Sequence, residues 1–413
     1  MSSSRVYLDH AATTDVLGPV VDAVAEQMRV GGNPSSLHSA GRRARAVVEA
    51  AREQVASAVG CDAAEVIFTS GGTEADNLAV KGLFWNRKEA NPSVRRILVS
   101  AIEHHAVSEA AEFLEKHDDA IVEWIPVNSE GVVDPASVRT LIEKDPESVA
   151  LVTVMWANNE VGSVQPIAEI TAIAHEYGIP VHTDAVQAFC ALEVNFRESG
   201  VDTMAISGHK IGGPMGIGAL IATRQAKMTP VQHGGGQERS VRSGTIDAAA
   251  IAGFGVAAQW GSENLAEESR RIALLRNRLI KLVRTEIPQA ILRGPEPETD
   301  LQIMENGPQN RLPANAHFTF EGCEGDSLLF LLDMAGVESS TGSACNAGVS
   351  RPSHVLLAMG VEETVARGAQ RFTLGHSTTA EDIDQLLQAL PAAFKQAYSA
   401  GLAARTPDAS MWH

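Results

Sequence analysis

Lys210 stands in SGHKIGGPMGIG (207–218), just after a histidine and ahead of a run of glycines, at the end of an apolar strand. Such a lysine either sits in a surface turn or reaches inward to a group that fills the space the glycines leave. A buried amine is costly unless it is paired or neutral. Condensation with an aldehyde resolves that cost.

Asp184, in HTDAVQ, is of the type that keeps a pyridine nitrogen protonated, although it would serve equally as a helix N-cap. TSGGTEADN (69–77) runs from a strand through two glycines, Gly71 and Gly72, into a helix with Thr73 at its mouth. Exposed N–H groups and the helix dipole favour a phosphate there, or an ordinary cap. The stretch is not a P-loop, because no GxxxxGK followed by Ser or Thr occurs. Ser207 and His209 flank Lys210 and are candidate donors to the same phosphate, as are Arg239, Arg242 and Thr245 in HGGGQERSVRSGT (233–245). A lysine at one strand end, an aspartate at the next and Gly-Gly-Thr opening a helix make up the set that pyridoxal 5'-phosphate (PLP) requires.

Further polar residues cluster at other strand ends. His104 could stack on a ring or move protons, or be structural. Asn159 and Gln187 could hydrogen-bond a ring oxygen or a substrate carboxylate. Arg371, in QRFTLG, could bind that carboxylate bidentately or form an ordinary salt bridge. Cys345 lies among small residues in ESSTGSACNAGVSRPSHVL, a setting for an exposed, reactive thiol rather than a core one.

These residues need a scaffold, and the chain from about residue 15 supplies one. GRRARAVVEAAREQVASAVG (41–60) has helical apolar spacing and stops on glycine; EVIFTS (65–70) follows as a strand. RRILVSAIEHHAV (95–107), VALVTVMWANNEVG (149–162), IPVHTDAVQAF and VDTMAISGHK read as strands with polar far ends, and PIAEITAIAHEYG (166–178) as a helix between them. Apolar strand bodies alternating with helices predict an α/β fold with a buried, mostly parallel sheet. Ligands of such sheets sit outside the carboxyl ends of the strands. Texture changes near residue 263, where a long charged amphipathic helix precedes a Pro-rich stretch and a second set of short strands and helices. The expected division is a large domain over 15–260, a smaller α+β domain from 1–14 with 261–398, and a mobile tail over 399–413.

The 413 residues carry a formal charge of −18, which argues against general nucleic-acid or anionic-membrane binding. The N-terminus lacks a signal-peptide run, and no apolar stretch is long enough to span a bilayer. The four cysteines show no CxxC spacing, so no metal site is expected and a reducing cytoplasm is the expected location.

YLDHAATT, TSGGTEADN, EHHAV, NNEVG, HTDAVQ, SGHKIGGPMGIG, HGGG with RSGT, SSTGSAC and RFTLG together resemble, in order, the motifs of the cysteine desulfurases, over about residues 6–375. The resemblance implies a fold type I PLP enzyme. It also implies a homodimer with sites at the subunit interface, and conversion of L-cysteine to L-alanine with sulfur kept as a protein persulfide. It would make Lys210 the cofactor lysine, Asp184 the ring-nitrogen partner, Gln187 a contact of the ring oxygen and His104 the stacking and proton-moving group. Gly72, Thr73, Ser207 and His209 would hold the phosphate, with Thr245 arriving from the other subunit. Asn159 and Arg371 would bind the substrate carboxylate, Asn159 also lying near the cofactor, and Cys345 would be the persulfide-forming nucleophile. Asn346 stands where the best-known members carry Thr or Ser. The spacing from Cys345 to Pro352 resembles the long-loop type that feeds iron–sulfur cluster assembly, the sulfur acceptor being an iron–sulfur scaffold or a thiolation protein. Selenocysteine lyases and other PLP lyases or aminotransferases of this fold are the alternatives.

Overall fold

Seven strands form the main sheet of the computed structural model, which describes residues 5–342 and 352–400 apart from 306 and 308. After a short β1 (Val6–Tyr7) come β2 (Val66–Thr69), β3 (Arg96–Ser100), β4 (Ile121–Ile125), β5 (Val149–Thr153), β6 (Val181–Asp184), β7 (Thr203–Ser207) and β8 (Gly218–Ala222). Their order across the sheet is β2-β8-β7-β6-β5-β3-β4. All run parallel except β8, which pairs antiparallel with both β2 and β7. The five site-bearing strands, β2, β3, β5, β6 and β7, therefore end at one edge of the sheet.

Helices cover both faces. They are α1 (Gly18–Val30), α2 (Ser39–Val59), α3 (Gly72–Ala90), α4 (His105–His117), α5 (Pro135–Glu143), α6 (Ile167–Glu176), α7 (Phe196–Ser199) and α8 (Ala248–Glu286). Alternate strand residues divide between two cores. Val66, Phe68, Leu98, Met204, Ile206 and Ile221 pack on the side of α2 and α8. Ile67, Ile97, Val99, Ala205, Leu220 and Ala222 pack beneath α3 and α4. Burial on both sides is why these strands read as continuous apolar runs. The glycine stop read at residue 60 is a left-handed C-cap, Gly60 at φ 71° and ψ 42°.

A three-stranded antiparallel sheet, β9 (Ala290–Leu292), β10 (Asn315–Phe320) and β12 (Ala369–Thr373), makes the second layer, while β11 (Val337–Glu338) pairs with β1. Val6 and Leu8 enter its core together with Leu279 and Val283 of α8 and Ile383, Leu386 and Leu390 of the helix Ala380–Ser399. The change of texture near residue 263 lies inside a single helix. Its first half, rich in Ala and Gly, packs against α1 and α2, and its charged second half reaches the small sheet.

Candidate active site

Each strand end contributes one part of a cavity of about 420 Å3. After β2 the chain passes Gly71 at φ 151°, a conformation open to glycine, and enters α3 with no side chain capping the helix. Its first N–H groups are left without intrahelical partners where Gly72 and Thr73 line the cavity. A Cβ on Gly72 would come 2.7 Å from Val186 Cγ2, so the close approach here needs glycine.

Beyond β3, His104 caps α4: its Nδ1 accepts the Ala106 N–H at 3.1 Å. That bond places the ring proton on Nε2 and leaves the ring opening on the cavity. Asp184 ends β6, buried, with Oδ1 accepting the Val186 N–H at 2.9 Å. Ser207 ends β7 with a buried hydroxyl that has no hydrogen-bond partner among the described residues. A 3-10 turn, Gly208–Lys210, then turns Lys210 inward, and its Nζ donates to the carbonyls of Ala11 and, at 2.8 Å, Ala12. Gln187 Nε2 donates to the same Ala11 carbonyl at 3.0 Å. From the small sheet, Arg371 donates through Nη1 to the Asn159 carbonyl and through Nη2 to Asp9 Oδ1, both at 2.8 Å. Gly72, Thr73, His104, Asn159, Asp184, Gln187, Ser207, His209, Lys210 and Arg371 thus share one cavity.

Desolvation, with Arg371 adding to it, lowers the Lys210 amine to about 8. Compared with an ordinary lysine, that is about 300-fold more free amine near neutral pH, the form that attacks an aldehyde. Burial raises the Asp184 carboxyl, opposed by His104, the Val186 N–H and Lys210. Burial lowers His104 and takes His209 down to about 4, Lys210 contributing to both.

Other candidates fall elsewhere. Thr245 is exposed in the loop before α8 and does not line this chain's cavity. Arg242 pairs with Glu74 at 2.8 Å and Arg239 donates to the Ala222 carbonyl, so neither is a phosphate donor here; local acidic and backbone acceptors hold both. Cys345 lies outside the described residues. Asn158, beside Asn159, is structural: its amide donates to the Ile102 carbonyl and its Oδ1 accepts from Glu160 and Val161.

Sequence reading missed Asp9, which orients Arg371, two acidic residues buried at the cavity, Asp76 and Glu160, and the buried Glu103 next to His104 in the chain. It also missed His354, whose Nε2 donates to the Glu103 carbonyl at 2.9 Å. The DH of YLDHAATT and the NNE and EHH triplets held the signal, as acidic residues inside glycine- and histidine-rich motifs.

An aldehyde- and phosphate-bearing cofactor suits this donor set: a free amine, a buried carboxylate, an unpartnered serine hydroxyl and an uncapped helix start. Among the described residues no group of His, Cys, Asp or Glu is placed to hold a metal ion, and no helix is long and apolar enough to cross a membrane. The fold and this site define a chain that belongs to the class-V aminotransferase family, whose model matches residues 6–386. Among curated relatives it is 49% identical over 398 residues to an IscS-like cysteine desulfurase of Mycobacterium tuberculosis, covering 96% of this chain and 98% of that one. It is 43% identical to the cysteine desulfurase IscS of Dictyoglomus turgidum, over 94% and 93% of the two chains. Among solved structures, a NifS-like protein superposes with a TM-score of 0.84 at 33% identity, over 95% of this chain and all of the other.

Proposed function

We propose that this chain is a PLP-dependent cysteine desulfurase that converts L-cysteine to L-alanine and holds the sulfur on Cys345 as a persulfide. The acceptor would be an iron–sulfur scaffold or a thiolation protein. The observation that carries the reading is the meeting of Lys210, Asp184 and the uncapped start of α3 in one cavity, in a chain similar to cysteine desulfurases along nearly its whole length.

When bound, PLP supplies an aldehyde that condenses with amines and a ring that draws electrons from the substrate's Cα. The residues around it divide the remaining work. Gly72, Thr73, Ser207 and His209 bind the phosphate, the orphaned Ser207 hydroxyl finding its acceptor there. Asp184 holds the proton on the ring nitrogen, and Gln187 contacts the ring oxygen. His104, its edge fixed by the Ala106 N–H, offers a ring face for stacking and an Nε2–H for proton movement. Arg371, oriented by Asp9 and the Asn159 carbonyl, binds the substrate carboxylate with Asn159. Lys210, as free amine, takes the proton from Cα. Cys345, as thiolate, forms the S–S bond while the substrate's Cβ–S bond breaks, and a proton delivered to Cβ, with the one held by Lys210 returned to Cα, completes alanine.

A homodimer follows from the same reading. Thr245 is exposed and would complete a second copy's phosphate site, and α1 with its surroundings leaves Val21, Met28 and Met215 uncovered at 53%, 74% and 69% exposure. Cys61, Cys190 and Cys323 are free thiols, in keeping with the cytoplasm. The Lys210→Ala variant is expected to lose both the visible absorbance of bound PLP and alanine production from cysteine. A variant that stayed yellow and active would contradict the assignment.

A further inference from the structure

Beneath Asp184 lies a chain of side chains that the reaction as described does not use. His182 and Thr203 are register partners on β6 and β7, so they stand side by side on one face of the sheet. His182 Nδ1 is 3.0 Å from Thr203 Oγ1, and its Nε2 is 3.2 Å from Asp76 Oδ1 on α3. All three are buried, His182 and Thr203 completely, and Asp76 also lines the cavity. Among the described residues His182 is the hydrogen-bonding partner that Asp76 has.

Asp76, Glu103 and Asp184 bring three carboxyl groups into one dehydrated region. Glu103 accepts the Met155 N–H at 2.6 Å on Oε1, and its Oε2 is buried with no partner among the described residues. The carboxylates acting on Asp76 are Asp184 from β6 and Glu103 from the turn after β3, and the cavity that Asp76 lines also holds His104, His105, Glu160, His209, Lys210, His354 and Arg371. Three carboxyl groups held close together and buried are an arrangement that proton uptake relieves. Burial, then Asp184 and Glu103, push the Asp76 carboxyl well above the ordinary range, while burial holds His182 down at about 3, so the contact between them is not an ion pair.

We propose that Asp76 is carried as an uncharged acid that donates its proton to His182 Nε2, with His182 Nδ1–H donating in turn to Thr203, so that Asp184 remains the anion facing the cofactor ring. Asp76 and His182 are then positioning residues. They hold a carboxyl group against the cavity wall without adding a second negative charge beside the ring nitrogen. The inference rests on the PLP reading for what Asp184 faces, but the proton arrangement belongs to the protein itself.

Imidazole nitrogen NMR on histidine-labelled protein, with His182→Gln assigning the signal, reads the arrangement directly. The expected result is a neutral ring protonated on Nδ1 whose signal does not titrate between about pH 5 and 9. A ring protonated on Nε2, or on both nitrogens, overturns the proposal. Charge is tested by the pH midpoint of the bound cofactor's absorption band. Asp76→Asn, whose amide donates to His182 Nε2 as the acid does, is expected to leave the midpoint within about 0.3 units of native. A shift of about one unit or more would mean that Asp76 carries a charge in the native protein, and overturns the proposal. If Asp184→Asn left the cofactor unaffected, the cofactor reading would fail, while the His182 signal would still report on the chain.

Discussion

His317, on β10 directly across from Arg371 on β12, is fully buried. Burial, with Arg371, Arg311 and Arg293 adding to it, lowers its pKa to about 3. A histidine held neutral in the fold and free to protonate when unfolded makes the unfolded state bind more protons below pH ~6.5. Its stabilising share is therefore whole above that pH and is lost as pH falls toward 3. The stability gap between the native protein and His317→Asn, measured by urea unfolding, should be constant above about pH 7 and shift against the native protein by roughly 1.4 kcal/mol per pH unit below about 6. A gap that did not change with pH would mean that His317 binds a proton as readily in the fold as in the unfolded chain. At this scale, residues at strand ends were legible in sequence because an apolar run followed by a polar residue marks the edge of a parallel sheet. Asp76 was not legible. It reads as one more polar residue on a helix, and the partner that explains its burial, His182, is 106 residues away.

Among the elements, α8 shows how much a short cue can decide. Asp247 accepts the N–H groups of Ala249 and Ala250 and starts a 39-residue helix. Replacing it with Ala should cost about 1 kcal/mol, the usual worth of such a cap, seen as a lower unfolding midpoint in denaturant. An unchanged midpoint would mean that packing against α2 alone sets the helix start. The charged second half of α8 was evident from its amphipathic spacing. The first half was not, because AAAIAGFGVAAQWGS is small and apolar on every side, as suits a helix enclosed by neighbours. β8 was also hidden: it opens on Gly218, the last glycine of the run after Lys210, and nothing local marks its antiparallel direction. β4, half exposed at the sheet edge, carries the weak pattern of an edge strand.

For the whole molecule, the proposed dimer makes a test by mixing. If Thr245 serves the neighbouring copy, Lys210→Ala and Thr245→Ala subunits allowed to exchange should form mixed dimers with one intact site, recovering activity up to about a quarter of native. If Thr245 served its own chain, mixing would restore nothing. The fold class and most of the residues that meet in the cavity were legible along the chain because their motifs mark strand ends. The placing of Arg371 over the cavity was not, since it depends on the small sheet meeting the large one through Asp9 and the Asn159 carbonyl.

The central claim is that sulfur removed from cysteine is taken up by the enzyme itself. Peptide mass mapping after brief incubation with L-cysteine, without reductant, tests it most directly. The account predicts that the Cys345 peptide gains the mass of one sulfur atom while alanine appears. Alanine formed with Cys345 left bare would contradict it and point to a lyase that releases sulfur freely.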